Sequence, residues 1–117
     1  MAIGSESMVG LVRNIVAVGP SEREAGAENA SDWAAIFEHE EAETVAFLLA
    51  NVACIEIDAR VREAQIHAIL EILEAHPLRS ELLRSLNLLN RGNLDPEQLS
   101  YLNELGFGSG AEDGLPR

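Results

Sequence analysis

The chain has 117 residues, of which 47% are hydrophobic and 4% aromatic, and its 20 acidic and 8 basic residues give a formal net charge of −12. This length suits one domain with a single hydrophobic core, and so large an apolar fraction excludes a disordered chain. Because phosphate groups and anionic lipids repel a strongly negative protein, we expect no direct binding to nucleic acid or to a membrane surface.

The single cysteine, Cys54, excludes an internal disulfide bond and a cysteine-based metal cluster. It lies between Ala53 and Ile55, which is typical of a buried thiol in a reducing compartment. The N-terminus lacks a positively charged start, and no apolar run approaches the about 20 residues that a membrane span needs. We therefore expect a cytoplasmic protein.

Residues 1–30 are predicted to form an N-terminal apolar segment followed by a polar linker. The apolar positions of residues 8–18 fit a helical stripe, although the valines also fit a short strand. We favour the helix, because no second strand candidate offers itself for pairing. Gly19 and Pro20 end this segment, and residues 21–30 are small and polar, which indicates a linker or mobile loop.

Residues 31–75 contain neither glycine nor proline and are rich in Ala, Leu and Glu, which predicts helix throughout. The stretch is too long for one ordinary helix, so we divide it into helices at 32–39, 41–55 and 59–75. Asp58 is the predicted N-cap of the third helix. The alternation of apolar and polar residues at 54–58 leaves a brief extended piece as an alternative at that junction.

Two further helices are predicted in the C-terminal part. Residues 78–90 carry a leucine face, followed by a turn at 91–93, and the leucines of that face are Leu82, Leu83, Leu86 and Leu89. The last helix begins with Asp95 as cap, Pro96 at its first position and Gln98 at its third, and it ends at Gly106. Residues 107–117 are predicted to be a disordered tail.

These elements predict an all-α protein with one domain at 31–106, made of four to six helices in antiparallel hairpins. Helix pairs joined by short turns either close as a bundle or stack in the manner of HEAT repeats. No internal repeat decides between the two arrangements.

We find no constellation of residues suited to catalysis, and we expect neither enzyme activity nor a cofactor. His39 and Glu40 begin like the helical zinc-protease motif, but Glu43 occupies the position of the second histidine. Glu63, His67 and Glu71 recur every four residues and share one helical face. Rows of this kind are usually solvated, and no second histidine completes a site, so we predict no metal.

The acidic residues are concentrated in one part of the chain. Residues 21–57 hold nine acids and one arginine, whereas residues 58–91 hold five of each. Like charges at this density cost helix stability. They form either a plain solvated face or a surface that binds a basic partner, and we predict the partner-binding surface. The predicted partner-binding residues are Asp32, Trp33, Glu38, Glu40, Glu41 and Glu43, with burial of Trp33 in the core as the alternative for that residue.

The chain resembles the small acidic immunity proteins of bacterial toxin systems, some of which are helical bundles and others HEAT-like stacks. The resemblance is one of style over residues 31–105, in the acid-dense and leucine-rich helices at 31–49, 62–71 and 80–105. It departs from the immunity proteins of colicin-type nucleases, which carry a tyrosine pair on the binding helix, because Tyr101 is the only tyrosine here.

The resemblance implies an inhibitor that binds a cognate basic toxin domain, such as a nuclease, and occludes its active-site cleft. The alternative is a helical adaptor or homodimerisation module without a toxin partner, in which the leucine faces, including Leu82, Leu83, Leu86 and Leu89, pair between two copies.

Overall fold

The computed structural model describes residues 2–89, 92 and 94–105, and within these ranges every regular element is a helix. The elements are α1 (Ser5–Ile15), α2 (Pro20–Asp32), α3 (His39–Ala53), α4 (Ala59–Ala75), a 3₁₀ helix (Ser80–Leu88) and α5 (Pro96–Leu105). The predicted all-α class is confirmed. Most of the predicted turn at 91–93, the helix end at Gly106 and the predicted tail at 107–117 lie outside the described residues.

The N-terminal segment is helical, as favoured from its sequence, and α1 buries Leu11 and Ile15. Its N-cap, Gly4, has a φ of 91°, a left-handed conformation that glycine adopts without steric cost. The helix packs against α2 and α3. It is therefore part of the main body of the protein.

The interpretation of residues 21–30 as a linker is wrong, because they form most of α2. Pro20 occupies the start of the helix and Glu22 its first turn, and both favour helix initiation. The buried face consists of Gly26, Ala27 and Ala30. A Cβ atom added to Gly26 would lie 2.8 Å from the backbone nitrogen of Ile15, so this glycine permits a close contact between α1 and α2.

The predicted helix at 32–39 is also wrong, because α2 ends at Asp32 and α3 begins at His39. Residues 33–38 form turns in which Ala34 and Phe37 are buried. The end of α4 helps to position this connection, since Nε2 of His76 lies 2.9 Å from the carbonyl oxygen of Ala34. The apolar residues of this stretch therefore enter the core from a turn.

Helix α4 has the predicted bounds and the predicted cap, with Oδ1 of Asp58 accepting hydrogen bonds from the backbone nitrogens of Arg60 and Val61 at 2.9 and 3.1 Å. Helix α3 ends two residues before its predicted end. At the junction that follows, Glu56 is buried whereas Ile55 and Ile57 are exposed.

The leucine-rich segment forms a 3₁₀ helix in place of the predicted α-helix, and α5 begins as predicted. In α5, Oδ1 of Asp95 accepts a hydrogen bond of 2.9 Å from the backbone nitrogen of Gln98. Leu83, Leu86 and Leu89 are buried in the core of their own chain. Three of the four leucines of the predicted face are therefore buried within their own chain, and Leu82 is half-buried.

Helix α4 lies at the centre of the bundle and contacts α2, α3 and α5, while the 3₁₀ helix packs against α3. A single cluster of buried side chains draws on all six helices, and the predicted domain boundary at residue 31 falls inside α2. None of the described helices has the combination of length and apolar character needed to cross a membrane.

Candidate functional site

Among the predicted partner-binding residues at the start of α3, Glu41 and Glu43 have partners within the chain. Glu41 has the larger number of hydrogen bonds. Its carboxylate accepts hydrogen bonds from the backbone nitrogens of Glu38, Ile3 and Gly4 at 2.9, 3.2 and 3.3 Å. The hydrogen bond from Glu38, followed by those from Ile3 and Gly4, lowers the pKa of Glu41 below its ordinary value. Glu41 thus caps α3 and fixes the chain that leads into α1.

Glu43 also has partners within the chain. Its Oε2 lies 3.2 Å from Nε2 of His39 and 3.7 Å from Nε of Arg79, and its side chain is 23% exposed. Part of its negative charge is therefore compensated by residues of its own surface.

The other predicted residues do not form one group. Glu38, Glu40 and Asp32 are exposed, whereas Trp33 is half-buried and packs against the core at the end of α2. Glu40 has no hydrogen bond or ion pair within the described ranges. Asp32 lines a groove on the α2 side of the molecule. None of the acids at 38–43 lines this groove.

This groove, which we call the acidic groove, has a volume of about 560 Å³ and lies between α2 and α4, with α5 at its edge. Glu24, Glu28 and Asp32 form the α2 side, and their four-residue spacing places them in one row along the helix. Glu63, His67 and Tyr101 lie on the other side.

Four carboxylates in the acidic groove face one guanidinium group. Arg60 is bound to Glu24 at 3.0 Å, but the arginine side chain is 83% exposed, so this ion pair compensates little of the charge. The carboxylates of Glu28 and Asp32 have neither hydrogen bonds nor ion pairs within the described part of the chain. The groove is therefore a negatively charged surface with little internal neutralisation.

The carboxylate of Glu63 shows how closely the negative groups approach one another. Burial raises its pKa, as do a hydrogen bond with Glu97 and the charges of Glu97 and Asp95, while His67 has the opposite effect. The pKa of Tyr101 is also raised, first by burial and then by the charges of Glu97 and Glu63. A cation placed here would relieve this repulsion.

Asp32 is the last residue of α2, and that helix has no basic residue in its last turn. The C-terminal end of a helix carries partial negative charge, so a carboxylate there is unfavourable. The molecule thus holds an acid at a position where it reduces the stability of the helix.

Glu24 and Glu28 were missed in the sequence because residues 21–30 were interpreted as a linker. Two signals were available, namely the proline that begins the helix and the four-residue spacing of the acids up to Asp32. Together they predict a helix with one acidic face.

The row of Glu63, His67 and Glu71 is divided between different contacts. His67 lies 3.5 Å from Glu71 and stacks at a tilt on Tyr101, with ring centroids 5.6 Å apart, while Glu63 faces Glu97. Within the described ranges, no group of three histidine, cysteine or acidic residues has an arrangement that could hold a metal ion. The chemistry that this surface offers is the binding of cationic groups.

Comparison with models of known families, with curated proteins and with solved structures gave no match to this chain.

Proposed function

We propose that this protein is an immunity-type inhibitor, which binds the basic surface of a cognate bacterial toxin domain and occludes it. The observation that carries the proposal is the acidic groove, where four carboxylates face a single exposed arginine. The resemblance of the sequence to small acidic immunity proteins, including the HEAT-like ones, adds the class of partner.

The charge of the groove favours a partner rich in arginine or lysine. A protein with a net charge of −12 attracts a basic surface over a distance of about 10 Å at ordinary salt, and this attraction speeds association. At contact, a guanidinium or ammonium group would relieve the repulsion around Glu63. Tyr101 adds an aromatic ring on which a guanidinium group stacks favourably.

The proposed binding surface is centred on Glu28 and Asp32. Glu38 and Glu40, which are exposed, remain predicted contributors from the start of α3, and the side chain of Glu38 also accepts from the backbone of Glu41 in the capping box. Glu41 and Glu43 contribute less, because their carboxylates already have partners in the fold. Trp33 contributes an aromatic edge next to Asp32.

Where a secreted protein is encoded beside this gene, the test co-expresses the present protein in bacteria with the C-terminal domain of that secreted protein. We expect bacteria that express the domain alone to stop growing, and bacteria that express both proteins to grow. Purified components should associate at a rate that falls with added salt, because attraction between opposite charges is screened.

Three double substitutions, each of which removes two negative charges, locate the surface. Glu28→Gln with Asp32→Asn should slow association about fivefold at low salt, because two groove charges are lost. Glu38→Gln with Glu40→Gln tests the α3 surface in the same way. The matched control is Glu6→Gln with Glu81→Gln, which changes exposed acids outside the groove.

Equal slowing by all three pairs would show that only the net charge matters and would contradict the groove assignment. A neighbouring domain that is harmless, or whose toxicity this protein does not relieve, would contradict the proposed function itself.

A further inference from the structure

The junction between α3 and α4 has an unusual distribution of polar and apolar side chains. Glu56 is only 7% exposed, whereas its neighbours Ile55 and Ile57 are 76% and 90% exposed. Globular proteins normally bury isoleucine and expose glutamate. The inversion indicates a surface that is built to present apolar groups.

Hydrogen bonds hold this arrangement in place. Nε and Nη2 of Arg23 donate to the two carboxylate oxygens of Glu56 at 2.7 and 2.8 Å, and Nε2 of Gln65 donates to Oε1 at 3.0 Å. The third nitrogen of the guanidinium group, Nη1, donates to the carbonyl oxygens of Ala17 and Val18 at 3.1 and 2.6 Å. One arginine therefore fixes both the α3–α4 junction and the α1–α2 turn.

An open recess of about 480 Å³ lies between these two connections. Its apolar lining consists of Val16, Ala17, Val52, Ile55 and Ile57. Val18, which follows Ala17, is 96% exposed. We call this surface, with Val18, the apolar recess.

We propose that the apolar recess is the surface at which a second copy of this chain binds, giving a homodimer with two-fold symmetry. In such a dimer the same surface of each copy must fit itself. The apolar recess has the required features side by side, because a concave region adjoins the projecting side chains of Val18 and Ile57.

The distribution of charge favours a second copy as the occupant. Two chains with a net charge of −12 repel each other, so they can approach closely only where the local charge is balanced. Among the residues that line the apolar recess, only Arg23 and Glu56 are charged, and they neutralise each other. A basic partner has no reason to prefer this surface to the acidic groove.

The size of the surface is consistent with a weak dimer. Four aliphatic side chains of the apolar recess are half to almost fully exposed, namely Val16, Val18, Ile55 and Ile57. Together they offer an accessible apolar area on the order of 500 Å² per copy, comparable to the largest apolar patch of a typical monomer. Two copies would bury about 1000 Å² in total, which is the lower bound for a specific interface.

The dimer does not rest on the proposed function. The apolar recess and the acidic groove share no lining residue. Self-association and the binding of a basic partner are therefore separate properties, and each can fail without the other.

The experiment is sedimentation equilibrium of the full chain from about 10 µM to about 1 mM, where an interface of this size should dimerise. The unmodified protein should shift from monomer to dimer over this range, and added salt should strengthen the dimer because the two negative chains repel each other less. Ile57→Glu should weaken dimerisation about 100-fold, because it places a charge in the contact of both copies.

The matched control is Leu88→Glu, a substitution at another aliphatic side chain that is 75% exposed and lies outside the apolar recess. It should leave the dimer unchanged. Val18→Glu provides a second variant in the apolar recess, should Ile57→Glu alter the circular dichroism spectrum. A protein that stays monomeric up to about 1 mM, or a dimer that Leu88→Glu breaks and both recess variants leave intact, would overturn the proposal.

Discussion

The carboxylates of α2 and those at the start and just after the end of α3 come from the same acid-rich stretch, but their surroundings differ. In α2, Glu28 and Asp32 have no partner among the described residues. In the first turn of α3 and just after its end, Glu41 and Glu56 accept hydrogen bonds from residues more than 30 positions away in the chain. The number of acids in a segment therefore does not measure the negative charge that it presents to a partner.

The largest effect should come from the buried ion pair after α3. Arg23→Met leaves the carboxylate of Glu56, whose side chain is 1% exposed, without its ionic partner. Since a buried charge without a partner is costly, we expect the free energy of unfolding to fall by about 3 kcal/mol. Urea denaturation followed by circular dichroism measures the change.

Arg60→Met is the matched control, because Arg60 forms the corresponding exposed ion pair with Glu24 of α2. The loss there should stay below about 0.5 kcal/mol. Similar losses in the two variants would contradict the conclusion that the ion pair of Glu56 stabilises the fold and that of Glu24 does not.

A smaller effect, with a characteristic pH dependence, is expected at the start of α3. Glu41→Ala removes the acceptor of three backbone N–H groups and should cost about 1–2 kcal/mol at pH 7. The lowered pKa of Glu41 means that its contribution to stability is complete above the ordinary value of 4.5 and is lost as the pH falls through the lowered pKa. The difference from the unmodified protein should therefore shrink in acid.

Glu63 in the acidic groove should respond with the opposite sign. Its raised pKa means that its contribution to stability is complete below 4.5 and is lost as the pH rises through the raised pKa. Glu63→Gln should consequently stabilise the protein at pH 7 by about 0.5 kcal/mol, and this gain should vanish in acid. Urea titrations of both variants between about pH 2 and pH 7 test the pair, with Glu40→Ala as an exposed control in the first turn of α3. Parallel pH profiles for Glu41→Ala and Glu63→Gln would show that the two regions do not differ in this respect.

The smallest effect concerns the acid that closes α2. Asp32→Asn removes a negative charge from the C-terminal end of the helix and, because the side chain is exposed, should raise the free energy of unfolding by only about 0.3 kcal/mol. The same substitution is part of the pair that should slow partner binding. Thermal denaturation measures the gain, and a loss of stability would mean that the carboxylate has a structural role.

The sequence predicted those elements whose signals are local. The cap at Asp58 and the start of α5 at Asp95 and Pro96 both depend on neighbouring residues, and both were placed correctly. Helix α2 was missed because its buried face is made of glycine and alanine. These residues resemble those of a flexible linker unless the helix packed against them is known.

The surface was harder to predict than the fold class, because the partners of the acids are distant in sequence. Nothing near Glu41 indicates that it binds the backbone of Ile3 and Gly4, and nothing near Glu43 indicates Arg79. In the same way, the exposure of Ile55 and Ile57 follows from a hydrogen-bonded arginine 33 residues before Glu56. Which carboxylates stay accessible is thus decided by tertiary contacts.

Residues that follow α1 in the chain contact it at both of its ends. The carboxylate of Glu41 accepts hydrogen bonds from the backbone just before the first turn of α1. Gly26 of α2 lies close to the backbone of the last turn of α1. These contacts help to hold Leu11 and Ile15, which this helix contributes to the core, in their buried positions. The position of the first helix in the bundle therefore depends on residues of α2 and of the start of α3.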